Sequence, residues 1–178
     1  MFRRVIGAAL LTISLTLAGC GMNPSADGSR GIRAFLEAVR TGDSKAFEAA
    51  IDRPALRADL RDQLSDLGRA RGLDVGGASD FALDRRITPQ AFHVVDARTG
   101  EPQAAPATLG QIANTMLIRD GRHVCLTDSP APRPGPPTCL LSFTKRDGVW
   151  RLTGMPAHEV RIALPHYPPA ARPEPKHP

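Results

Sequence analysis

The sequence predicts an α+β fold in which N-terminal helices pack on a C-terminal antiparallel sheet of three or four strands. Three observations carry that expectation. Apolar residues recur at three- and four-residue spacing from Ile32 to Leu67, the period of one helix face. They alternate in the segments His123–Thr127, Cys139–Lys145 and Val149–Thr153, the period of a strand. Helices come first and strands second, an order that places helices on one side of an antiparallel sheet.

The elements follow in order. Ile32, Phe35, Leu36 and Val39 form one apolar stripe, and Thr41-Gly42 ends that helix with glycine as its cap. Asp43 is a side-chain cap for a second helix with Phe47, Ala50 and Ile51 inside. Asp52-Arg53-Pro54 opens a third, with proline in the first turn. Leu56, Leu60, Leu64 and Leu67 are its inner face; Arg57, Asp59, Arg61 and Asp62 lie outside. Gly72 to Asp80 reads as a loop, and Phe81 to Leu83 as a turn of helix. Thr88-Pro89 starts a short helix expected to run to about Val95, and Thr108 caps another through Leu117, with a strand as the alternative there. Asp120-Gly121 turns the chain into the strand His123–Thr127. Cys139–Lys145 and Val149–Thr153 flank Arg146-Asp147-Gly148 as the clearest hairpin, with Leu141, Phe143, Trp150 and Leu152 on its core face. Val160, Ile162 and Leu164 alternate as an edge strand.

The N-terminus carries a different pattern. Arg3 and Arg4 precede a run from Val5 to Leu17 with no ionisable residue, and Leu17-Ala18-Gly19 leads into Cys20. A charged start, an apolar run too short to span a bilayer and a small-residue exit make a secretory leader. Its ending on cysteine is the lipobox of a bacterial lipoprotein. The expected organisation is a signal peptide over 1–19, cut between Gly19 and Cys20, and a lipidated Cys20 with a flexible tether over 20–30. A single α+β domain over 31–164 and a Pro-rich disordered tail over 165–178 complete it. Several acyl chains on Cys20 hold a protein on a bilayer where one chain is marginal. In Gram-negative bacteria an Asp directly after the lipidated Cys favours the inner membrane. Gly21 stands there, so the expected address is the outer membrane, facing the periplasm.

Losing Arg3 and Arg4 lowers the formal charge of +5 by two. Acids are scattered among the bases with no Lys/Arg cluster interleaved with aromatics, a pattern that argues against nucleic acid as a partner. With Cys20 assigned to lipid, Cys125 and Cys139 remain as a pair expected to form a disulfide in an oxidising compartment. Pro130, Pro132, Pro134, Pro136 and Pro137 lie between them.

Candidate chemistry is sparse. His93, His123, His158, His166 and His177 show no zinc spacing. His123 and Cys125 share a strand face, read as an exposed histidine beside a disulfide. Asp59, Asp62 and Asp66 with Arg57, Arg61 and Arg69 read as a solvated charge lattice along the third helix. Trp150 reads as a core anchor. No catalytic residue, metal site or cofactor is expected.

The stretch from Ala38 to Leu64, with its Gly42-Asp43 break and the Asp52-x-Pro-Ala-Leu-Arg57 entry to a Leu-rich helix, resembles the domain of unknown function 2939 family of secreted and membrane-attached bacterial proteins. Ile87-Thr88-Pro89 and Gly148-Val-Trp-Arg-Leu-Thr153 fit the same pattern. The resemblance implies architecture and envelope location and brings no catalytic residues. A weaker likeness is to the cystatin/NTF2-like class, in which helices on a curved sheet can enclose a pocket. The expected function is therefore a non-enzymatic accessory, binding or structural role in the cell envelope. Its partners would be the bilayer through acylated Cys20 and an envelope protein or cell-wall component. The alternative is a small-molecule or lipid-binding module with an NTF2-like pocket.

Overall fold

The computed structural model describes residues 24–73, 77–127 and 138–166. The leader, Cys20, most of the Pro-rich stretch between the later cysteines and nearly all of the tail lie outside them. Five helices and six strands are present among the described residues: α1 (Pro24–Thr41), α2 (Ser44–Ala50), α3 (Arg53–Ala70), α4 (Asp80–Asp84), β1 (Phe92–Asp96), α5 (Leu109–Thr115), β2 (Met116–Ile118), β3 (His123–Thr127), β4 (Cys139–Arg146), β5 (Val149–Gly154) and β6 (Val160–Leu164). Strands β2 to β5 form an antiparallel meander in sequence order, and β1 pairs with β6 in a separate parallel ribbon. The α+β expectation with a four-stranded antiparallel sheet therefore holds.

The caps read from the sequence close the helices. The side chains of Asp43 and Asp52 accept from Ala46 N–H and Ala55 N–H, 3.0 and 3.1 Å away. Gly42, at φ +67°, ends α1 in a conformation that disfavours side chains. Asp147 and Gly148 both have positive φ, the backbone of a two-residue hairpin turn whose twist matches its strands. The core lies between α1–α3 and the inner face of the meander. Phe35 of α1 is its centre, edge-on to Phe92 of β1 and Phe143 of β4 at 5.1 and 5.5 Å between ring centroids, and 5.8 Å from Phe47 of α2.

Several expectations are corrected. The segment read as a tether over 20–30 is helical from Pro24 onward. Gly28 in that segment and Gly31 just after it serve close approach. Gly28 lies against Val124 and Met116, and Gly31 against Trp150, where a β-carbon would meet Trp150 Cβ at 2.3 Å. The helix expected up to Val95 is one 3₁₀ turn, Pro89–Ala91, followed by β1. Val94 and Val95 suit a pleated surface better than a helix, and β6 supplies their partners. The segment after Thr108 satisfies both readings, as helix to Thr115 and then strand β2. Residues 160–164 pair with β1 and do not extend the meander. Leu67, expected on the inner face of α3, is 47% exposed, whereas Leu56 and Leu60 are buried.

Candidate functional site

The far half of α3 meets the chain leaving β5. Asp59 and Gln63, one turn apart on α3, replace a pairing strand for that segment. Asp59 accepts from Met155 N–H at 3.0 Å. Gln63 donates to Met155 O at 2.7 Å and accepts from Ala157 N–H at 3.1 Å. Two polar side chains thereby satisfy backbone groups that would otherwise need water or a strand. Asp59 is thus not part of a solvated lattice.

Three arginines of α3, Arg53, Arg57 and Arg61, likewise look across to α4, not along their own helix. Arg53 and Arg57 both bond Asp84, at 3.0 and 2.5 Å, and Arg57 and Arg61 both reach Asp80. The Arg57 and Arg53 guanidiniums hold the Asp84 carboxyl below the usual carboxylate range. A five-residue helix too short to be stable alone is fixed this way, with Ser79 as its cap. Asp66 and Arg69 pair within α3 and stay exposed.

These supports shape a groove of about 590 Å³ between α4 and the Met155–Glu159 segment, bordered by Phe81, Arg85, Arg86, Gln90, Met155 and His158. A second hollow of about 490 Å³ continues from Met155 and His158 past Asp59 and Gln63 to Ser142. Behind the groove, Leu60, Leu64, Ala78 and Leu83 line an apolar cavity of about 210 Å³. Phe81 stands 73% exposed on the rim. Arg85 and Arg86 are exposed and have no ion-pair partner among the described residues, unlike Arg53, Arg57 and Arg61. Glu159 lies 3.7 Å from His93. The groove thus offers two open guanidiniums, a histidine and an exposed ring: a surface for an anionic, partly apolar partner.

Cys125 and Cys139 form a disulfide across neighbouring strands β3 and β4. His123, two residues before Cys125, is turned to Asp120, 2.8 Å away. Trp150 is buried, and its indole N–H donates to Asp27 at 2.9 Å. Gly19 and Cys20 lie outside the described residues. Among the described residues no group of three or more His, Cys, Asp or Glu side chains gathers in metal-binding range, and no helix is long and apolar enough to cross a membrane. The residues of the groove carry no motif. The one sequence signal for them is the Asp59–Gln63 spacing, which puts two hydrogen-bonding side chains on one helix face.

Residues 15–95 match the model of a family described as protein of unknown function, DUF2939. The resemblance drawn from Gly42-Asp43, Asp52–Arg57 and Ile87–Pro89 falls inside that match, and the late hairpin beyond it. No curated protein and no solved structure matches the chain.

Proposed function

We propose that this chain is a lipid-anchored protein of the bacterial cell envelope. Its domain has a non-enzymatic binding role, exercised through the groove between α4 and Met155–Glu159. The observation that carries the reading is a polarity in the molecule. Strand β5 starts at Val149, beside the first turn of α1, the described segment nearest in sequence to Cys20, and ends at Gly154, which lines the second hollow and leads into the groove segment at Met155. The strand is about 17 Å long, so the groove opens away from the anchored end.

Each displaced carboxylate among the described residues is displaced downward, held as the anion by its neighbours: Asp27 by Lys145 and Trp150, Glu37 by Arg40, Asp84 by Arg57 and Arg53, Asp96 by His166, Asp120 by the Arg122 N–H and His123. The open, mixed lining of the two larger hollows suits a partner lying across the surface, an envelope protein or a cell-wall component. The hollow lined by Leu60, Leu64, Ala78 and Leu83 is smaller than most small-molecule sites, which weakens the NTF2-like alternative. We place the protein on the outer membrane, facing the periplasm.

Metabolic labelling with palmitate tests the anchor. The wild-type chain should be labelled and processed, and Cys20→Ser should be neither; normal labelling of Cys20→Ser removes the lipoprotein reading. Photocrosslinking from Phe81 in intact envelopes tests the groove. Adducts should form with the wild-type chain and be lost in Arg85→Glu/Arg86→Glu. Adducts indifferent to that change count against the groove.

A further inference from the structure

The end of the domain opposite the groove has a surface of its own. Both hairpin turns of the meander lie there, because His123 pairs with Thr144 and the Lys145 N–H donates to Arg122 O at 2.8 Å. The first turn of α1 is fixed to the same end: Asp27 accepts from Lys145 Nζ at 2.5 Å and from the Trp150 indole at 2.9 Å. Only three residues separate Cys20 from Pro24, and even a fully extended chain spans no more than about 14 Å over that distance. This inference rests on the lipid-anchor reading above. With Cys20 in the leaflet, this end of the sheet is held within reach of the head groups.

Its composition suits that position. Arg119 and Arg122, on the β2–β3 turn, are exposed and have no ion-pair partner among the described residues. Lys145 and Arg30 share the single carboxylate of Asp27, Arg146 bonds Asp52, and Asp120 is taken by His123. Asp147 is the remaining acid. Arg122, Lys145, Arg146, Asp147 and Gly148 surround a hollow of about 520 Å³, wide enough for a phosphate head group. At the same end of the sheet, Ile118 at the close of β2 and Val149 at the start of β5 are 47% and 44% exposed.

We infer that this end docks on the anionic phospholipid head groups of the leaflet that carries the anchor, with Arg119 and Arg122 toward phosphate and Ile118 and Val149 at the interface. The cationic excess is modest, and it need only orient the domain. The short tether already keeps the surface at a high effective concentration against the bilayer, and cations within a Debye length of an anionic leaflet are attracted to it.

The test uses the full-length acylated protein in phosphatidylcholine vesicles with and without phosphatidylglycerol. A fluorophore is placed at Val149→Cys or, for comparison, at Phe81→Cys, and brominated lipid serves as quencher. Quenching should be strong at position 149, weak at position 81, and enhanced by phosphatidylglycerol. Arg119→Glu/Arg122→Glu should lower the docking equilibrium constant about fivefold per charge removed without changing the melting temperature. Equal quenching at the two positions, or no response to charge reversal, overturns the docking inference while Cys20 acylation in the same samples is normal. Absence of acylation overturns the anchor reading, and the inference with it.

Discussion

At the residue scale, the junction of α1 with β5 is the most sensitive point in the molecule. Alanine is favoured over glycine inside a helix by about 1 kcal/mol, yet Gly31→Ala should destabilise the fold by about 1–2 kcal/mol. The new methyl would collide with Trp150 Cβ, which cannot move without its strand, and overpacking of that kind costs about 1–3 kcal/mol. Gly110→Ala in α5, with open space around it, should be neutral or stabilising; urea denaturation of both variants checks the pair. Asp27 next to it has a pH signature. Its carboxyl is held below the ordinary range, first by Lys145 and then by Trp150. A depressed folded value means that the stabilisation is complete above the unfolded pKa of about 3.9 and is lost as pH falls through the folded value. Asp27→Asn should therefore cost about 1 kcal/mol at neutral pH. The difference from wild type should close in acid, as read by urea midpoints across pH. A difference that persists in acid would assign the effect to packing.

At the element scale, the disulfide joins the β3 and β4 ends where the meander is open. Closing a loop of about 15 residues contributes about 3 kcal/mol in the chain-entropy account. Cys125→Ala/Cys139→Ala should lower stability by up to that amount, and the unreduced wild-type protein should show no free thiol at either position. The pairing was legible because two cysteines were left after Cys20 and both fell on strands. The helix caps were equally legible, since Asp43 and Asp52 act on backbone groups three residues away. The β4–β5 hairpin was legible through Asp147-Gly148. What could not be read depended on distant partners. Phe92 to Asp96 becomes a strand because residues 160–164 lie beside it, and no local period announces that. Gly28 of α1 looked like spacer until Val124 and Met116 stood against it. Asp59 looked solvated until Met155 supplied a backbone N–H. The groove is made of such long-range supports, which is why its residues carried no signal.

At the scale of the whole molecule, the first turn of α1 lies at one end of the domain and the groove at the other, and α1 belongs to the domain's core. A chain beginning at Pro24 should melt like one beginning at Gly21. A chain beginning at Gly31 loses the Asp27 bonds and the Gly28 packing, and should melt at least about 5 °C lower, as about 1 kcal/mol corresponds to 2–4 °C at this size. Equal melting of all three chains would return residues 24–30 to the role of spacer.

The parallel ribbon sets the order of assembly. Phe92 sits beside Val160 and Val94 beside Ile162, so the whole meander is threaded between two strands that meet only after it is complete. Contacts so far apart in sequence form late, because the intervening chain must first be ordered. Val160, Ile162 and Leu164 are nearly fully buried. A nascent chain ending before them therefore has a core that is open along one side. Among the described residues the domain closes with β6, and a polypeptide emerging N-terminus first keeps that side open until Val160 to Leu164 have appeared.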